Sequence, residues 1–203
     1  AVRAPTARFD DGARACAGPR DRMLNRMDEY TLRRARTSDV VGIQRLVAGL
    51  VERRILLGKE LVVLYEAVQE FVVAEAGDGT LIGCGALHVM WEDLGEIRTL
   101  AVADAWLHRG VGRAIVQELE RNALELGLSR LFCLTFEVDF FVRRGFAPIG
   151  EGIVADDVYA QLVRSPDEGV AEFLDLARVK PNTLGNTRML KLLPQGDGHT
   201  LER

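Results

Sequence analysis

The residues with the most chemical consequence sit close together: Glu96-Ile-Arg-Thr-Leu-Ala-Val102, a strand-like run, and Arg109-Gly-Val-Gly-Arg113 at the head of an amphipathic pattern. Gly110 and Gly112 have no side chains to block a ligand, so backbone N–H groups at a helix start can point at an anion while the helix dipole favours its negative charge. Arg109 and Arg113 add mobile positive charge beside the same turn. A junction of this kind suits the holding of a pyrophosphate. A dinucleotide-binding fold is the obvious competitor, and its fingerprint needs a small residue three positions after the second glycine and a tight strand-to-helix turn. Here Ile115 takes the first position, and seven residues, 103–109, separate strand from glycines. A plain helix start with two flexible glycines would share the same outline.

Such a junction must be positioned by a core, and 203 residues with 48% hydrophobic content can bury one. The net charge of −4, from 26 basic and 30 acidic residues, offers no general attraction to nucleic acid or to an anionic membrane. Cys16, Cys84 and Cys133 are scattered, the last two in apolar runs, and read as small buried thiols in a reducing, cytoplasmic setting. His88, His108 and His199 form no pair at a ligand spacing, so no metal is expected. No apolar run is long enough to span a bilayer, and no membrane partner is expected. Residues 1–28 are arginine-rich with little to pack and read as a disordered leader. Residues 29–193 read as the one folded domain, and 194–203 as a flexible tail.

Within that domain, 30–34 reads as a strand, and Ser38 as the cap of a helix with Val40, Ile43, Leu46, Val47 and Leu50 on its apolar face. A second helix is expected over 60–70, then strands over 71–75 and 80–90 joined by the hairpin signal Gly77-Asp-Gly79, and a strand over 95–102. Helical spacing of Val111, Ile115, Leu119, Asn122 and Leu126 predicts a long helix ending at Gly127. A buried strand over 131–135, short helices near 138–144 and 155–164, and a last strand near 187–193 complete the pattern. The fold class is therefore α+β. Its mixed, mostly antiparallel sheet is flanked by helices, and its parallel fourth and fifth strands can splay apart at a ligand.

These features resemble the Gcn5-related N-acetyltransferase superfamily, whose central motif Q/R-x-x-G-x-G/A appears here as Leu107-His-Arg-Gly110-Val-Gly112. Both glycines match, while Leu107 replaces the leading Gln or Arg, so that Arg109 or Arg113 must supply its contact. A nearer likeness is to the acetyltransferase domain of bacterial N-acetylglutamate synthases, in their short actinobacterial form without an amino-acid-kinase domain. It is carried by Ile55-Leu-Leu57, Leu81-Ile-Gly-Cys-Gly-Ala-Leu87, Gly95-Glu-Ile-Arg-Thr-Leu-Ala-Val102, Leu131-Phe-Cys-Leu-Thr135 and Phe140-Phe-Val-Arg-Arg-Gly-Phe146.

The resemblance implies an acyl-CoA N-acyltransferase fold, acetyl-CoA as co-substrate and an enzyme that acetylates the α-amine of L-glutamate in arginine biosynthesis. A homodimer is expected from it alone. Glu96 is the implied general base, often acting through water; it shares a strand face with Arg98 and Leu100, in surroundings apolar enough to raise a carboxylate pKa. A simple ion pair with Arg98 is the competing reading. The backbone at Leu100 is implied to receive the thioester oxyanion. Leu100, Ala101, Val102, His108, Arg109, Gly110, Val111, Gly112, Arg113 and Phe141 are the implied cofactor contacts. Phe141 stands where many relatives carry a Tyr acid, so water, unprotonated departure or another residue must serve the leaving thiolate. Glutamate brings two carboxylates, for which Lys59, His88, Arg98, Lys180 and Thr187 are the candidate partners. Lys59 and His88 fall where the synthases carry basic residues and Thr187 where they carry a serine, whereas Gly185 replaces an expected arginine. Glu92 and Asp93 argue for a cationic amine instead, such as a polyamine or a protein lysine. The missing Tyr leaves room for a non-catalytic acyl-CoA sensor.

Overall fold

The computed structural model describes residues 29–52, 58–150, 154–174 and 186–194. The expectations for the leader, the 55–57 run, Lys180, Gly185 and the tail beyond 194 fall outside these residues.

Strands β1 (Tyr30–Arg34), β2 (Phe71–Ala76), β3 (Leu81–Trp91), β4 (Leu94–Val102), β5 (Arg130–Thr135), β6 (Ala147–Pro148) and β7 (Thr187–Leu192) form one sheet in the order β1-β2-β3-β4-β5-β7-β6. All neighbours are antiparallel except β4 and β5, which run parallel. This is the α+β arrangement that the alternation of patterns predicts. The turn at Gly79, with φ 84°, closes the β2–β3 hairpin, and Ala76 N–H donates to Thr80 O at 2.9 Å.

The apolar strands need cover on both faces, and two amphipathic helices supply it. Helix α1 (Val40–Glu52) sets Val40, Ile43 and Val47 against Phe71, Val73, Cys84, Ala86 and Ala101. Helix α3 (Val111–Glu125) sets Val111, Ile115 and Leu119 on the opposite face against Val72, Ala74, Ile82 and Ile97. Successive β2 residues thus serve different helices, as strand alternation requires. At Gly85 an added Cβ would lie 2.8 Å from Ile115 and 3.1 Å from Leu119, so the glycine lets α3 approach the sheet closely. A third apolar cluster joins Met90, Leu94 and Phe132 to Leu162 of α5 (Asp156–Leu162) and to Val170 and Phe173 of α6 (Glu168–Phe173).

The structure departs from the sequence reading at several boundaries. Ser38 lies inside a single 3-10 turn, Thr37–Asp39, and α1 begins after it. Asp39 organises this start: it accepts Arg36 N–H at 2.7 Å and Arg33 Nη1 at 2.6 Å, tying the helix to β1. The helix expected over 60–70 divides into α2 (Leu61–Glu66) and a 3-10 turn, Val68–Glu70. The buried face of α3 runs through Ile115, Val116, Leu119 and Ala123, while Leu126 is its exposed C-cap. Ala123 is buried although a small side chain adds little to a hydrophobic pattern. The short helix near 138–144 is α4 (Val138–Val142). The pattern gave no sign of β6 or α6. Among the described residues no helix is long and apolar enough to cross a membrane.

Candidate active site

Beyond β4 the chain makes a 3-10 turn, Asp104–Trp106, and then passes through two left-handed residues, His108 at φ 61° and Gly110 at φ 89°. The second is the N-cap of α3, and Ala114 N–H donates to Gly110 O at 3.0 Å. The first turn of α3 therefore presents backbone N–H groups beside two residues without side chains, as the anion-cradle reading expects. A Cβ on Gly112 would meet Val102 at 3.5 Å and the Phe140 ring at 3.6 Å, so the cradle is walled by β4 and α4. Arg109 lies over the Trp106 ring at 5.1 Å, and Arg113 is exposed on the first turn of the helix. Arg144, stacked at 3.4 Å over Phe140, belongs to the same neighbourhood. Burial first, then the charges of Arg113 and Arg143, lower its pKa. Phe141 is a core residue, edge-on to Phe140 and Phe146, and Phe140 is the ring that meets Gly112.

Strand β4 changes course just before the cradle. Cys84 pairs with Ala101 but Ala86 with Arg98, so Thr99 and Leu100 both lie opposite Gly85 in a bulge. Thr99 takes φ 55°, a conformation that costs a non-glycine residue about 1–2 kcal/mol. The parallel pairing with β5 covers only Leu94–Glu96 against Arg130–Phe132. Past Glu96 the two strands diverge, and the bulge turns Leu100 onto the α3 face with Val102, so Leu100 does not share the face of Glu96 and Arg98 that strand alternation predicts.

Glu96 stands where the divergence begins. It is 4% exposed, and its Oε2 has no hydrogen-bond partner. Arg98 Nη1 is 3.8 Å away, beyond hydrogen-bond reach, and the guanidinium instead donates to Glu70 Oε2 at 3.0 Å and to Asp167 Oδ2 at 2.9 Å. The ion pair expected between Glu96 and Arg98 is present at 3.8 Å, while the hydrogen bonds of the guanidinium go to Glu70 and Asp167. His88, opposite Glu96 in the β3–β4 register, shares a 2.8 Å hydrogen bond between Nδ1 and Glu70 Oε1, and its Nε2 lies 3.7 Å from Asp167 Oδ2. Gly169 of α6 packs directly on Glu96 Oε2, where a Cβ would collide with the carboxylate.

Burial pushes the Glu96 carboxyl above its usual range, against the pull of Arg98, and Asp167 adds to the rise. Burial also acts to raise Glu70 and Asp167, but hydrogen bonds and charges from His88 and Arg98 for the first, and from Arg98 for the second, bring both below the ordinary carboxylate range. One carboxyl is thereby poised to exchange a proton while two neighbours stay ionised, a division that acid–base sites exploit. Burial, aided by Arg98, lowers the Lys59 ammonium, and Glu96, Asp167 and Glu70 oppose that shift.

Of the residues singled out for substrate, Lys59, His88 and Arg98 belong to this one charged cluster with Glu96. Thr187 sits elsewhere on the sheet, opposite Thr135 at the β5–β7 end. Asp93 is held by Arg130, whose Nε and Nη2 donate at 2.8 and 2.9 Å, and acts as a brace between the β3–β4 turn and β5. Glu70, Asp167 and Gly169 escaped the sequence reading. No local signal marks Glu70: continuing the β2–β3 register would set it opposite Leu87, on the face away from His88, and it is the 3-10 turn Val68–Glu70 that brings its carboxylate to His88. Asp167 carries a helix-cap signature, for its Oδ1 accepts Gly169 N–H at 2.8 Å and Val170 N–H at 3.2 Å. That signature announces a helix but not the site it covers.

The similarities to known proteins agree with this geometry. The chain is 57% identical over 164 residues to an amino-acid acetyltransferase of Mycobacterium tuberculosis, covering 80% of this chain and 94% of that protein. A Pseudomonas putida amino-acid acetyltransferase is 36% identical over 121 residues, and the chain spans only 28% of its length. Among solved structures, a Mycobacterium tuberculosis protein in complex with CoA and a second ligand superposes with a TM-score of 0.77 at 56% identity, covering 81% of this chain and 99% of that one. The N-acetylglutamate synthase of Neisseria gonorrhoeae, complexed with coenzyme A and N-acetyl-glutamate, does so with a TM-score of 0.65 at 26% identity, over 82% of this chain and 35% of that one. Residues 52–146 match the acetyltransferase (GNAT) family. With its β4 bulge, its parallel pair that parts at Glu96 and its glycine-opened helix, the chain belongs to the GNAT acetyltransferase family.

Proposed function

We propose that this protein transfers the acetyl group of acetyl-CoA to the α-amine of an amino acid, with L-glutamate as substrate and N-acetyl-L-glutamate as product, in the first step of arginine biosynthesis. The observation that carries the reading is the buried Glu96 Oε2, without a hydrogen-bond partner, at the point where β4 leaves β5. The relatives described above, and the coenzyme A complexes among them, support it. The working unit is the domain of residues 29–193, acting in the cytoplasm as a homodimer.

In this reading the α3 cradle, with His108, Arg109, Gly110, Val111, Gly112 and Arg113, holds the pyrophosphate of acetyl-CoA. Its pantetheine arm follows Leu100–Val102 into the gap between β4 and β5. Glu96 takes a proton from the substrate ammonium, directly or through water, and the free amine attacks the thioester carbon. The backbone N–H at Leu100, within the bulge, meets the developing oxyanion. Collapse then breaks the C–S bond. As the amide forms, its nitrogen gives up a second proton, which the departing thiolate takes up directly or through solvent, while burial raises the Cys133 thiol and leaves it in the core. Arg98, His88 and Lys59 provide for the substrate's carboxylates, with Thr187 and Lys180 as further candidates.

The carboxylates of Glu70, Glu96 and Asp167 favour a second reading, in which a more cationic amine is the acceptor. Thiol release from acetyl-CoA with glutamate, glutamine, spermidine and a lysine peptide separates the two. Turnover with glutamate supports the first reading, and preference for spermidine or peptide overturns it. Silence on all four with retained acetyl-CoA binding identifies a sensor.

Gly110→Ala probes the cradle. The left-handed backbone costs the alanine roughly 1 kcal/mol, and its methyl group meets the incoming pyrophosphate. The KM for acetyl-CoA is expected to rise about 10-fold, equivalent to the loss of one charge-assisted hydrogen bond, while the KM for the amine stays unchanged in steady-state assays.

A further inference from the structure

We propose that Asp167, at the entry to α6, holds the ammonium group of the substrate beside Glu96 and thereby selects amines that carry an adjacent carboxylate. This rests on the reading of the protein as an amino-acid acetyltransferase.

Arg98 is shared between two carboxylates on one side. Its Nη1 serves Asp167 Oδ2 at 2.9 Å and faces Glu96 Oε2 at 3.8 Å, so the two carboxylates converge on a single nitrogen. Its Nη2 is committed separately to Glu70 at 3.0 Å. Arg98 can therefore turn Nη1 toward a substrate carboxylate and remain anchored. Glu96 Oε2 and Asp167 Oδ2 are then free of its nitrogen and open to an ammonium, with His88 Nε2 still 3.7 Å from Asp167 Oδ2. Glu96 Oε2 needs a donor in any case, because it is buried without one and its close neighbour Gly169 offers only a Cα. An α-amino acid brings a carboxylate and an ammonium on one carbon, which matches an arginine nitrogen lying between two carboxylate oxygens.

Asp167 is built to stay in place during this exchange. Its Oδ1 is occupied by the N–H groups of Gly169 and Val170, which fixes the carboxylate and leaves Oδ2 for the ligand. When Arg98 turns away, the Val170 N–H and the charge of His88 still favour its ionised form, and the substrate ammonium takes the place of the guanidinium at Oδ2. A simple amine lacks the carboxylate needed to draw Arg98 away and would leave Asp167 engaged.

The test compares the parent with Asp167→Asn, whose Oδ1 can still cap α6. Binding of L-glutamate and of glutarate, the same chain without the amine, is measured by calorimetry in the presence of coenzyme A, together with steady-state kinetics. Asp167→Asn is expected to weaken glutamate about 10- to 100-fold, the range for a charge-assisted hydrogen bond. Glutarate affinity should be unchanged or improved, and kcat/KM should fall mainly through KM. Equal weakening of both ligands, tighter binding of both, or unchanged glutamate affinity would each overturn the proposal. The activity reading fails differently: a parent that neither binds nor acetylates glutamate or glutamine loses that reading and this inference with it, whereas an active parent insensitive to Asp167→Asn loses only the inference.

Discussion

Glu96→Gln is expected to lower kcat/KM for acetyl transfer by a factor on the order of 10²–10⁴, the usual contribution of a positioned general base, without destabilising the protein. The amide fills the same space beside Gly169 but cannot accept the ammonium proton. Arg98 keeps Glu70 and Asp167 as partners, so the substitution leaves no guanidinium stranded. The stability effect follows from the direction of the pKa shift. A carboxyl raised in the folded state contributes stability that is fully present below its ordinary pKa of 4.5 and lost as pH climbs through the raised value. Glutamine does not titrate, so the Tm of the variant relative to the parent should increase across that window and stay level above it. A Tm series from pH 4 upward, paired with pH–rate profiles, checks both parts. An active Glu96→Gln enzyme would remove the residue from the chemistry, and a variant that unfolds early would return it to a structural role.

Gly169→Ala is expected to cost roughly 100-fold in kcat, the scale of about 1 Å of misplacement at a reacting group, while changing Tm little. Two effects oppose each other at this position. Alanine is favoured over glycine inside a helix by up to ~1 kcal/mol, but here its Cβ would overlap Glu96 Oε2. The obstacle is the end of a side chain rather than backbone, so the carboxylate rotates away and α6 stays seated on Phe132 through Phe173, whose rings stand 5.1 Å apart. The fold survives and the base is displaced. Kinetics with acetyl-CoA and amine varied separately should show kcat reduced and the KM for acetyl-CoA unchanged. A large fall in Tm with proportionate loss of activity would instead mean that the helix yields.

The parts of the site that the sequence reveals are those written in local spacing. The Gly110–Gly112 pair, the alternation that sets Glu96 and Arg98 on one face, and the apolar face of α1 each lie within a few residues, and the structure places them as read, as it does the Val111, Ile115 and Leu119 part of the α3 face. Glu70 and Asp167 reach the same cluster from separate elements, and only the packing of α6 against Met90, Leu94 and Phe132 brings Asp167 to Arg98. Local pattern holds no record of such a meeting. Leu126 failed for a related reason: periodicity counts it as another turn of α3, whereas Gly127 at φ 82° ends the helix and leaves it exposed.

The seam between β4 and β5 also bears on how the chain acquires its structure. It spans three residue pairs, whereas β5 shares six with β7, the last described strand in chain order. Strands β2, β3 and β4 follow one another through short turns and can zip early, but the β5–β7 ladder must wait for a long loop to close, the slow kind of event in folding. The cleft therefore comes into being at the meeting of an early half and a late half. A ligand lodged across that boundary binds only the finished sheet, and by mass action each tenfold rise in its concentration above Kd adds about 1.4 kcal/mol to the assembled state. The protein's own substrate would act as the clamp on its slowest joint, and amide exchange in β5 and β7 should slow with added acetyl-CoA well before exchange in β2 and β3 does.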